Sequence, residues 1–276
     1  MPARVPVRVP VPVSVLNAFS CVYEKILKKR ILNSPILVEH ILLVLDETDL
    51  LAAGGLEKLK QFVKCCHALK VNVVTVYVSV VQGGDGQGKD GQGKDGQGKD
   101  GQGRDGQGLD EELLQRAYSH LREEIAKALS KENASIAIYA NTPTPNSAPN
   151  SADYLDPESL DPESLNPNPE KKINISIGLG GRSELTKAIK KIMCRVQAGE
   201  VEPDEIDEKL IESELIFKSE PDLVIRSGAT LLTDFLIWQS VYSEFYFTDV
   251  NWARFRKIDL LRAVRDFQWR ERRFGR

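Results

Sequence analysis

The chain has 276 residues, 41% of them hydrophobic and 28% charged, with a formal net charge of −3 and a pI near 5.8. That is ample for one α/β domain, and the near-neutral balance excludes a global basic field of the kind that draws a protein onto nucleic acid. Four cysteines, Cys21, Cys65, Cys66 and Cys194, lack zinc or redox spacing and read as reduced, buried thiols of a cytoplasmic protein.

Residues 1–13 alternate Val and Pro, with no continuous apolar stretch for a signal sequence or membrane span, and read as a flexible extended arm before a single domain over 14–276. The spacing predicts a helix over Val15–Ile31, with Leu16, Phe19, Val22, Ile26 and Leu27 inward and Lys25, Lys28, Lys29 and Arg30 opposite. Ile41–Leu45, bounded by His40 and Asp46, is an unbroken apolar run and predicts a strand buried on both faces. A helix over Gly55–Leu69, with Leu56, Leu59, Phe62, Val63 and Cys66 inward, and a β-branched strand over Val71–Ser79 complete a βαβ unit.

Residues 83–108 repeat Asp-Gly-Gln-Gly-Lys and carry too little apolar surface to offset the entropy of ordering, so they read as a disordered insert. A charged helix over Leu109–Ser130 and a strand over Ala134–Tyr139 precede a second low-complexity insert at 141–172, rich in Pro, Asn and Ser. Then come a strand at Ile173–Ile177, a turn at Gly178–Gly181, a helix at Arg182–Gln197, an acidic helix at Glu202–Leu215 and a strand at Asp222–Arg226. Apolar residues at helical spacing follow over Leu231–Tyr242, then an extended piece around Phe245 and Phe247, and a basic tail closes the chain. Strands alternating with helices predict an α/β fold, a central, mostly parallel sheet of about six strands flanked by helices.

Two features suggest chemistry. Gly178-Leu-Gly-Gly181 between strand and helix has part of a dinucleotide fingerprint, but Ser183 takes the third glycine position and a lone pattern of this kind is weak, so it reads as a tight turn packing helix on strand. Arg226 ends a buried parallel strand, the place where α/β sheets bind ligands.

The C-terminal fifth carries four ordered motifs: Pro221-Asp-Leu-Val-Ile-Arg-Ser-Gly228, Asp234-Phe-Leu-Ile-Trp-Gln239, Tyr242-Ser-Glu-Phe-Tyr-Phe-Thr-Asp249 and Arg270-Glu-Arg-Arg-Phe-Gly275. In these it resembles the cis-prenyltransferases, the undecaprenyl and dehydrodolichyl diphosphate synthases; Gly180-Gly-Arg182 resembles a turn of the same family. The resemblance implies that Asp46 stands at the catalytic aspartate that helps bind Mg²⁺ and the allylic diphosphate, with Glu244 the glutamate that reaches Mg²⁺ in the partner subunit's site. It implies isopentenyl diphosphate contacts from Arg226, from Thr233 in place of a serine, and, across the dimer, from Arg273 and Gly275.

The chain departs from that family in its N-terminal half. A Gly-Asn-x-Arg-Trp loop is replaced by Glu47-Thr-Asp-Leu-Leu51, which sets three carboxylates where a dianion would sit, with no arginine remaining nearby to complete the cradle. Two like charges about 4 Å apart repel by about 1 kcal/mol in water and several-fold more when desolvated. The link from Asp46 to Cys65 is also short.

This combination is similar to the non-catalytic, Nogo-B receptor-type subunits of heteromeric cis-prenyltransferases. The expectation is an accessory subunit that donates its C-terminal Arg-x-Gly to a catalytic partner making polyprenyl diphosphate with Mg²⁺, in the cytoplasm or peripheral to the membrane through the lipid product. The alternatives are a divergent prenyltransferase or terpene-forming enzyme using Asp46 and Glu244 with Mg²⁺, and a lipid- or partner-binding protein that has left the pathway.

Overall fold

A computed structural model describes residues 13–80, 105–140, 170–228 and 236–270. The elements are α1 (Val13–Leu32), β1 (His40–Asp46), α2 (Glu47–Leu51), α3 (Gly55–Ala68), β2 (Val73–Ser79), α4 (Asp105–Leu129), β3 (Ser135–Ala140), β4 (Lys172–Ile177), α5 (Gly181–Gln197), α6 (Glu208–Glu214), β5 (Leu223–Ser227), β6 (Glu244–Thr248) and α7 (Lys257–Trp269). The six strands form one sheet in the order β3-β4-β2-β1-β5-β6, and every pairing is parallel. All strands therefore end on one edge of the sheet, where Asp46, Ser79 and Ser227 lie, and begin on the other, where His40 and Glu244 lie.

β1 runs through the middle because its apolar run has no polar position to turn outward. Ile41, Leu43 and Leu45 join a core on one face with Leu27, Phe62, Tyr118 and Phe267 from α1, α3, α4 and α7; Leu42 and Val44 join a smaller cluster on the other with Tyr77, Leu179, Phe217, Val224 and Leu236. The inward residues predicted for α3 hold: Leu59, Phe62, Val63 and Cys66 are buried, and Leu56 packs partly against them. Phe62, Trp252 and Phe255 make an aromatic cluster with ring centroids 5.6–6.0 Å apart, which favours edge and offset contacts over a face-to-face sandwich. At the starting edge, the His40 ring bonds the Glu220 carbonyl at 2.9 Å and Thr75 Oγ1 at 2.8 Å, while Asp222 accepts from the backbone N–H groups of Glu39 and His40.

Several expectations need correction. In α1 only Leu27 of the described inward residues is buried; Val22 and Ile26 are exposed, because the helix presents Leu27 and Ile31 to the core. α4 begins at Asp105, inside the stretch read as insert, and Lys172 belongs to β4, where it pairs with both Val73 and Ser135. The acidic segment Glu202–Leu215 is broken in two: a short 3₁₀ turn carries Pro203, and Asp207 starts α6 afresh by accepting from the Leu210 N–H. Of the helical run at Leu231–Tyr242, the described part holds only a 3₁₀ turn at Trp238–Ser240. α7 was not anticipated, and its buried Ile258, Leu261, Val264 and Phe267 cover the sheet. The arm at residues 1–12 and most of both inserts, 83–104 and 141–169, lie outside the described residues.

Candidate active site at the carboxyl edge of the sheet

Asp46 is the last residue of β1 and directly precedes α2, its backbone still extended at φ −95° and ψ 155°. Its N–H donates to Asp49 Oδ2 at 3.2 Å, so the acid that replaces part of the expected phosphate loop serves as a local turn-holder. Arg226 Nη2 donates to both Asp46 carboxylate oxygens, at 3.0 and 2.9 Å. The expectation of no arginine near Asp46 is therefore corrected. The guanidinium arrives from β5, which lies beside β1 with Val44 level with Arg226.

The pair is asymmetric. The Arg226 side chain is only 3% exposed and that of Asp46 36%. The Arg226 Nε and Nη1 atoms are buried without a protein partner, so only Nη2 of the fork is used within the chain. Arg226 is thus a buried arginine paired with a strand-end carboxylate. Burial raises the Asp49 carboxyl above the ordinary range, with the Asp46 charge adding to the shift while the bond to the Asp46 backbone and the Arg226 charge oppose it.

Two further groups complete this edge. Gly178, with φ +66°, starts the turn between β4 and α5, and a Cβ there would meet the Tyr118 ring at 2.9 Å. The turn thus packs the α4 tyrosine, in agreement with the tight-turn reading. Burial, and then the Glu47 carboxylate, push the Tyr118 phenol up to about 12. Tyr118 was missed in the sequence because nothing local distinguishes it from other apolar positions of a charged helix.

Glu244 lies elsewhere. It begins β6 level with Leu223 and Ile41, so about five residues of strand, roughly 16 Å, separate its level from Asp46. Its carboxylate is held by Arg270 Nη1 at 2.8 Å. One chain therefore does not bring Asp46 and Glu244 together around Mg²⁺, and among the described residues no group of three or more His, Cys, Asp or Glu is placed to hold a metal. The described residues of a single chain do not by themselves fit that ion. Thr233, Arg273 and Gly275 lie outside the described residues.

On the other face of the sheet, a buried acid went unnoticed in the sequence. Glu184 of α5 is 4% exposed and accepts from the Ile216 N–H at 2.9 Å, the Phe217 N–H at 3.3 Å and Gln239 Nε2 at 3.3 Å, tying α5 to the segments that flank β5.

The family model described as "Putative undecaprenyl diphosphate synthase" matches residues 112–275, more than half of the chain. A relative from Methanocaldococcus jannaschii, named tritrans,polycis-undecaprenyl-diphosphate synthase (geranylgeranyl-diphosphate specific), is 50% identical over 109 residues, 38% of this chain and 39% of that one; the match spans about two-fifths of that relative's length. A Pyrococcus abyssi protein of the same name is 27% identical over 270 residues, 92% of each chain. The crystal structure of lavandulyl diphosphate synthase from Lavandula x intermedia in complex with dimethylallyl diphosphate is similar in fold, with a TM-score of 0.61 at 24% identity over 87% of this chain and 98% of that one. The parallel sheet and the matched residues 112–275 agree, and the chain belongs to the cis-prenyltransferase, or undecaprenyl diphosphate synthase, family.

Proposed function

We propose that the chain is the accessory subunit of a heteromeric cis-prenyltransferase, which lengthens an allylic diphosphate by condensing it with isopentenyl diphosphate. The observation that carries this reading is the Asp46–Arg226 ion pair. The acid that would serve an allylic diphosphate is already neutralised inside the chain, and its neighbours Glu47 and Asp49 repel an incoming dianion.

Two placements support a partner. Ile189 and Met193 of α5 are 50% and 57% exposed, and Val241 and Tyr242, in a segment that Gln239 ties to α5, are 64% and 56% exposed, an apolar surface suited to a second subunit. Arg270 is clamped to Glu244 at the starting edge of the sheet. In this reading Arg226 and Thr233 belong to this chain's isopentenyl diphosphate half-site, while Arg273, Gly275 and Glu244 serve the partner's site, which holds Mg²⁺.

A second reading, a prenyltransferase active by itself, is favoured by the synthase names of the relatives and by the idle Nε and Nη1 of Arg226. One experiment decides between them. The chain, a catalytic homologue from the same organism and their mixture are assayed with isopentenyl diphosphate and an allylic diphosphate. The accessory reading expects product in the mixture well above either component, and loss of that gain with Arg273→Ala. No gain on mixing sinks it, and turnover by the chain alone establishes the second reading.

A further inference from the structure

The geometry points to the outer face of α1 and α7 as a docking surface for an anionic lipid bilayer. At 100° per residue, Val22, Ile26 and Lys29 fall within about 60° of arc, flanked by Lys25 on one side and Arg30 on the other. Val22 and Ile26 are 55% and 48% exposed, while Leu27 and Ile31 at the back of the same helix are 2% exposed. An apolar stripe bracketed by cations is the pattern of a helix lying in a membrane–water boundary.

The stripe continues onto neighbouring segments. Arg265 of α7 donates to Tyr23 Oη at 3.1 Å and lies 4.6 Å over the ring of Trp269, the most exposed large apolar side chain described, at 73%. Gln268 donates to the Ile36 carbonyl at 2.7 Å, which draws Ile36 and Leu37, 42% and 48% exposed, to the same rim. Tryptophan beside a cation is suited to the headgroup level.

Charge selects the occupant. α1 carries four basic residues and one acidic, α7 three basic and two acidic, within a chain of net charge −3. Protein interfaces are depleted in lysine at their centre, whereas an anionic bilayer rewards lysines beside a shallow apolar stripe. No helix among the described residues is long and apolar enough to cross a membrane, so this face would lie on the lipid. The surface is independent of the partner surface proposed above: α1 and α7 pack on the face of the sheet that holds Phe62, and Glu184 ties α5 to Phe217 on the opposite face.

The test is sedimentation of the full chain with vesicles of phosphatidylcholine, alone or mixed with phosphatidylglycerol, together with tryptophan emission. Binding is expected only to the mixed vesicles, weakened by salt, with a blue shift that Trp269→Phe removes. Lys29→Gln is expected to lower binding about fivefold and Ile26→Ser by a similar factor, with unchanged circular dichroism, since both side chains are exposed. Failure to bind mixed vesicles overturns the proposal, as does binding that neither substitution reduces. A dimer in light scattering that the same substitutions dissolve also overturns it, by assigning the face to protein.

Discussion

Arg226 grips Asp46 through one nitrogen, with both carboxylate oxygens within 3.0 Å, and so joins two strand ends separated by 180 positions in the chain. The two partners pay unequal desolvation. Asp46→Ala leaves a buried guanidinium without its counter-charge and is expected to cost about 3–5 kcal/mol. Arg226→Ala leaves a carboxylate that water reaches, and is expected to cost about 1–2 kcal/mol. Urea denaturation of both variants checks the order; the reverse order would mean that the arginine is not the desolvated partner.

Glu184 predicts a pH dependence. Burial raises its carboxyl above 4.5 and outweighs the opposing bonds from Phe217, Ile216 and Gln239. Its contribution to stability is then complete below pH 4.5 and is lost as pH rises through the raised value. Glu184→Gln is expected to flatten the stability profile in that window. Glu184→Ala leaves two backbone N–H groups without an acceptor and is expected to cost about 2–3 kcal/mol, measured by urea denaturation across pH.

The histidines act in the opposite sense. Burial lowers His40 below 6.5 and His67 to about 4. Each is neutral in the folded chain where the unfolded chain takes up a proton, so their contribution is present above pH 6.5 and is lost as pH falls below it. The denaturation midpoint is expected to drop from pH 6.5 towards pH 4, and His67→Asn to reduce that drop.

Gly178→Ala is expected to destabilise by at least about 1–2 kcal/mol from its left-handed backbone alone, and further by displacing the Tyr118 ring. The Tyr118 phenol, held at about 12 by burial, should then titrate closer to 10. Ultraviolet difference titration of the tyrosines reads the shift, and an unchanged titration would show that the ring has not moved.

The strands were legible because burial leaves a local mark: β1 and β2 are nearly unbroken apolar runs whatever surrounds them, and β4 alternates Ile173, Ile175 and Ile177 with polar residues. Even β6, whose residues are only partly buried, showed in the alternation of Phe245 and Phe247. α7 had a comparable mark in Ile258, Leu261 and Val264, spaced by three, and was passed over in favour of the basic tail that follows it. The outward turn of Val22 and Ile26 was not legible, since periodicity places apolar residues on a common face without saying what covers that face. Nor was the ion pair, because Asp46 and Arg226 meet only through the neighbouring positions of β1 and β5, which no local pattern encodes.

That neighbouring placement also bears on how fast the chain folds. β1 meets β2 through a connection within one βαβ unit, but it meets β5 by pairing Ile41 with Leu223 across both low-complexity segments. Closure entropy grows with the logarithm of loop length, about 0.6 kcal/mol for each doubling. The inserts are therefore nearly neutral for equilibrium stability, while the docking of β5 is a late, non-local event of the kind that slows folding.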